Sequence, residues 1–143
     1  MGTDRYLAVF GDTTRKSEAE RQKAIWETAS TNQVYYGNYI SALIREKTNY
    51  NDPHEIAILD AAFKEGARLD PGNARYPYAL AALMLGQSAE VRLGETNGVG
   101  AHQEYRLIIR DRALLDQAMG EIQKASGKPF YTTYCSKMWE YRT

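Results

Sequence analysis

Phe63-Lys64-Glu65-Gly66-Ala67-Arg68-Leu69-Asp70-Pro71-Gly72-Asn73-Ala74-Arg75-Tyr76, followed by Tyr78-Ala79-Leu80-Ala81, is the stretch that decides the fold. Apolar residues at Phe63, Gly66 and Leu69 recur at helical spacing. Asp70-Pro71-Gly72 then stops the helix, because proline cannot continue the hydrogen-bond ladder. Asn73 caps a second amphipathic helix that begins at once. Pro77 falls in its first turn, where a missing N–H costs little. Ala79, Ala81 and Ala82 let a neighbouring helix approach closely.

Working upstream, Asp52-Pro53-His54-Glu55 is a start signal: Asp52 caps, Pro53 fits the first helical position and Glu55 suits the positive end of the helix dipole. The helix over 53–69 buries Ile56, Leu59, Phe63 and Gly66. Before it, Asn32 caps a helix over about 33–47 with an inward stripe of Tyr36, Tyr39, Ile40, Leu43 and Ile44. Ser17 and Glu20 form a capping box for a helix to about Ser30, with Ile25, Trp26 and Ala29 inward. Residues 4–10 read as a short opening helix, broken by Gly11-Asp12-Thr13-Thr14.

Downstream, residues 87–102 lack helical period and carry Gly94-Glu95-Thr96-Asn97-Gly98-Val99-Gly100, the reading being a flexible loop. A helix over about 103–125 is expected, with Ile108, Leu115, Met119 and Ile122 inward. Ser126-Gly127-Lys128-Pro129 stops it, and a last helix is expected over about 130–141.

The units repeat. Ala57-Ile58-Leu59-Asp60-Ala61-Ala62-Phe63-Lys64-Glu65 aligns with Ala113-Leu114-Leu115-Asp116-Gln117-Ala118-Met119-Gly120-Glu121, seven of the nine positions being identical or similar. Asn32-Gln33-Val34-Tyr35 echoes Asn73-Ala74-Arg75-Tyr76. Recurring helix pairs predict an all-α fold, a stacked solenoid of about six main helices in one domain spanning 1–143. Phe63, Gly66 and Pro71, then Leu80 and Ala81, follow the large–small–proline order of a tetratricopeptide repeat, and the chain resembles that TPR family. The unit spacing exceeds the family's ~34 residues, the 87–102 insertion lengthening one unit. The resemblance implies a right-handed solenoid of antiparallel helix pairs and a scaffold that binds a protein or peptide on its concave face. The first helix of each pair lines that face. On those helices Asn38, Ser41 and Arg45, then Arg75 and Tyr78, then Thr133, Lys137 and Tyr141 are the candidate partner-binding residues. The last helix, with Met138 and Trp139, either caps the stack or presents an open edge, which a homodimer would hide.

Composition bounds the alternatives. The 143 residues carry 18 Lys plus Arg against 18 Asp plus Glu, so no basic footprint points to nucleic acid or an acidic membrane. No apolar run approaches the ~20 residues of a membrane helix. Met1-Gly2-Thr3-Asp4-Arg5 lacks the basic-then-apolar order of a signal peptide, so the expectation is a cytoplasmic chain or the mature form of an exported one. The single cysteine, Cys135, excludes an intramolecular disulfide. His54 and His102 have no partners at metal-ligand spacing, and neither a metal nor a cofactor is expected. The carboxylates Asp60, Glu65, Asp111, Asp116 and Glu121 have the spacing of any charged helix face, and no serine sits in a nucleophile motif. An enzyme is therefore not expected. The remaining alternative is a small-molecule binder or enzyme working in a pocket beneath the glycine-containing loop.

Overall fold

Capping signals set where the helices begin. In the computed structural model, which describes residues 17–94 and 104–134, Ser17 and Glu20 close the capping box on α1 (Glu18–Glu27). Asn32 Oδ1 accepts from the Val34 and Tyr35 amides at 3.0 and 3.1 Å, opening α2 (Gln33–Glu46). Asp52 Oδ1 accepts from the His54 amide at 2.9 Å, and Pro53 is the first residue of α3 (Pro53–Leu69). α4 (Arg75–Ser88) follows the Asp-Pro-Gly-Asn turn; its N-cap is Ala74 and not the expected Asn73, whose Oδ1 accepts from the Arg75 amide at 3.0 Å one residue before that cap. α1 ends three residues earlier than its composition suggests. The Thr28 amide and hydroxyl both bond Ile25 O, and Trp26 Nε1 donates to Ser30 O at 2.9 Å, tightening the chain into a turn.

Helices packed on their sequence neighbours form the body. Its centre is Tyr36, Ile40, Leu43, Leu59, Phe63, Tyr76 and Leu80. Tyr36 is 2% exposed and keeps its phenol satisfied by donating to Ala62 O at 2.6 Å. Trp26 meets Tyr36 edge-on at 4.8 Å and stacks on Tyr39 at 6.2 Å, geometries that favour aromatic pairs. Gly66 is required where it stands: any Cβ there would overlap the Tyr76 ring.

Three expectations are corrected by this architecture. Residues 89–93 of the expected loop form a strand, and residues 105–109 of the expected helix form another. β1 (Ala89–Leu93) pairs antiparallel with β2 (Tyr105–Ile109), Val91 opposite Leu107, and α5 (Arg112–Ser126) starts only after Asp111 Oδ1 accepts from the Leu114 amide at 3.0 Å. The cause is the period: Val91, Leu93, Tyr105 and Leu107 alternate with Glu90, Arg92 and Arg106, a two-residue repeat that suits strands and that only the apolar run Leu107-Ile108-Ile109 interrupts. Residues 130–134 are not the start of a helix, because their backbone groups are bonded to residues 73–75. Met119 is 50% exposed, and Ala82 is exposed too. Ala118 and Ala125, at 0% and 2%, face inward on α5 instead, and these small residues allow its tight packing on α4.

The molecule is thus mostly helical with one small two-stranded sheet. Among the described residues no helix is long and apolar enough to cross a membrane. The expected opening helix, residues 95–102 of the loop with His102, the expected helix start at 103, and Cys135 lie outside the described residues.

Candidate peptide-binding face

Two consecutive turns, Asp70-Pro71-Gly72-Asn73 and the entry into α4, place three polar side chains inside the protein. Asp70, Asn73 and Arg75 are 3%, 1% and 6% exposed. Buried polar groups at this density need partners. They find them on a non-helical stretch of the chain's own backbone. Asn73 Nδ2 donates to Thr132 O at 2.9 Å, while the Thr132 amide donates back to Asn73 Oδ1 at 3.1 Å. The Ala74 amide donates to Phe130 O at 2.8 Å. Arg75 Nη1 donates to Thr133 O at 3.3 Å and to Gly37 O at 3.1 Å, and Nη2 donates to Ser41 Oγ at 2.8 Å. The guanidinium therefore ties α2 to residues 130–134.

One side chain of the stretch enters the body. Tyr134 donates from its phenol to Asp70 Oδ2 at 2.6 Å, and Asn73 Nδ2 donates to the same oxygen at 3.0 Å. The Tyr134 ring lies against Gly37, where a Cβ would approach Cδ2 to 2.8 Å, so the absence of a side chain there makes the room. Burial, then the bond to Asp70, pushes the Tyr134 phenol well above its ordinary range. Nearby, burial also pushes Tyr76 up to about 12. Tyr134 adopts φ 60°, a left-handed conformation that is uncommon for any residue with a side chain. Phe130 and Tyr131 remain outside, at 44% and 60% exposed, with Tyr131 6.4 Å from the Tyr78 ring.

Of the candidate binding residues, Arg75, Ser41 and Thr133 come together, the last through its carbonyl. They form an internal cluster, so Arg75 is not a surface contact in this state. Asn38 is 7% exposed, and its Nδ2 lacks a hydrogen-bond partner. Arg45 is exposed near the end of α2 and Tyr78 is 41% exposed, both open to a partner. Lys137, Met138, Trp139 and Tyr141 lie outside the described residues. Sequence reasoning missed Asp70, Asn73, Gly37 and Tyr134 as parts of one site. Asp70 and Asn73 already have sufficient local roles in a helix stop and cap, which conceals a second role.

A second feature also escaped: the hairpin. Register places Ala89, Val91 and Leu93 on one face with Ile109, Leu107 and Tyr105. Glu90 lies on the other, paired with Arg92 and Arg110. An apolar depression of about 390 Å³ lies elsewhere, between Ile44, Leu59, Phe63 and Leu83. Among the described residues no group of three His, Cys, Asp or Glu side chains could hold a metal ion. His54 is exposed. No protein-family model, curated protein or solved structure matches this chain.

Proposed function

We propose that this chain is a protein-interaction module of TPR-like architecture, a right-handed solenoid of antiparallel helix pairs, that holds an extended segment of a partner protein on the face made by α2 and α4. Packing of each helix on the next supports the stacked-pair reading. So does contact between α2 and α4, seen in the Tyr36–Tyr76 ring separation of 6.3 Å and the Arg75–Ser41 bond.

One observation carries the binding proposal. Asn73 grips both the N–H and the C=O of Thr132, a contact that reads backbone and not side chain. A face built this way accepts extended chain in general, and the phenol pocket at Asp70 adds selectivity. A partner segment would take the place of residues 130–134 and reuse donors that the body already holds in position. Arg45 and Tyr78 then extend the contact beyond the clamp.

The test uses the full chain carrying Thr132→Pro and Tyr134→Ala, which weakens the internal segment's hold. A labelled peptide with the sequence of residues 129–134 is titrated in and followed by fluorescence anisotropy. Saturable binding that Asn73→Ala abolishes is expected. Absence of saturable binding, with far-UV circular dichroism unchanged, would contradict the proposal.

A further inference from the structure

The β1–β2 hairpin divides its residues by chemistry. On one face stand Val91, Leu93, Tyr105, Leu107 and Ile109, exposed by 65%, 60%, 67%, 65% and 41%. The opposite face carries Glu90, Arg92 and Arg106 together with the half-buried Ile108, and Glu90 pairs with Arg92 and with Arg110 beyond the strand. A solvent-facing ribbon would keep its charged face outward and cover the apolar one. Here the apolar face is exposed to the same degree as the charged one, on which Arg92 and Arg106 are exposed too. Scattered exposed apolar residues are ordinary, but five on one contiguous face are not. A two-stranded ribbon is also marginal by itself and gains stability from a packed layer.

We propose that two copies of this chain associate by stacking the apolar faces of their hairpins, forming a small two-layer sandwich about a two-fold axis near Val91 and Leu107. The patch suits a copy of itself. It carries no charge, so two patches meet without repulsion, while the arginines of both copies point away from the contact. Val91 and Leu107 form its centre, with Leu93–Tyr105 on one side and Ala89–Ile109 on the other, an arrangement compatible with an isologous interface. The five residues leave at most roughly 600 Å² uncovered per copy, so a symmetric pair buries at most roughly 1,200 Å², which reaches the lower edge of specific interfaces. Stacked sheets sit ~10 Å apart, the depth these side chains fill.

The backbone distinguishes face stacking from edge pairing. Arg110 N donates to Ser88 O at 2.7 Å and Gly94 N to Glu104 O at 2.6 Å, so the even-numbered residues of β1 turn their backbone groups toward β2. Val91 and Leu107 therefore direct their N–H and C=O groups to the open edges, while their side chains point to the apolar face. A lysine at either position removes face stacking and leaves the edge groups intact.

The experiment is sedimentation equilibrium on the full chain over a wide concentration range, with Leu107→Lys, Val91→Lys and Arg106→Glu compared. A dimer is expected for the wild type. Each lysine variant should raise the dissociation constant at least about tenfold, with helix content by circular dichroism unchanged. Arg106→Glu alters the charged face and should leave the constant within about twofold. A wild type that stays monomeric throughout would overturn the proposal. So would a dimer indifferent to both lysines, or one broken equally by Arg106→Glu.

Discussion

Residues 130–134 and the β1–β2 hairpin are both non-helical chain attached to a helical body, yet they meet their backbone needs in opposite ways. The hairpin strands bond each other and leave their apolar side chains in solvent. The 130–134 segment has no strand beside it. It takes its hydrogen bonds from Asn73, Arg75 and the Ala74 amide, and sinks Tyr134 into the body. The contrast teaches where stability and interaction are stored. Buried polar groups that satisfy one another are costly to disturb, whereas exposed apolar groups cost the monomer little when changed.

The largest effect should come from Asn73→Ala. It removes the bonds to Thr132, Asp70 and the Arg75 amide, leaving several buried groups unsatisfied, at a cost of about 3 kcal/mol by urea denaturation. A loss below ~0.5 kcal/mol would place the clamp among ordinary surface contacts. Tyr134→Phe keeps the ring and deletes only the bond to Asp70, for a smaller expected loss of about 1–2 kcal/mol in the same assay.

Alkaline pH sharpens the comparison without mutation. Burial raises the folded-state phenols of Tyr76 and Tyr134 above their unfolded value near 10. Folding therefore favours the neutral form. This contribution is fully present below about pH 10 and falls as pH rises through the raised folded values, that of Tyr76 being about 12. Stability should decline between pH 10 and 11 in the wild type, and less steeply in Tyr134→Phe. Equal slopes would separate Tyr134 from this titration. The smallest effect belongs to the hairpin: Val91→Thr should change monomer stability by less than ~0.5 kcal/mol in dilute thermal melts, because the side chain is 65% exposed.

Legibility followed the range of the interactions. The starts of α2 and α3 are readable because Asn32 and Asp52-Pro53 act on amides two or three residues away. The stripe of Tyr36, Ile40 and Leu43 is equally local. The hairpin is harder: each strand has five residues, and Ile108 and Leu115 also fit a helical spacing that the Asp111 cap interrupts. The clamp lay beyond local reasoning. Its bonds join residues 56 to 64 positions apart, and Arg75 read along its helix as a surface cation. Only tertiary packing turns it inward.

Residue-resolved hydrogen exchange at the Thr132 amide is the most direct measurement. Held by Asn73, this amide should exchange slowly in the wild type and lose its protection in Asn73→Ala, while the Arg92 and Arg106 amides keep theirs. A Thr132 amide that exchanges freely in the wild type, or stays protected without Asn73, would contradict a backbone clamp and the peptide-binding function built on it.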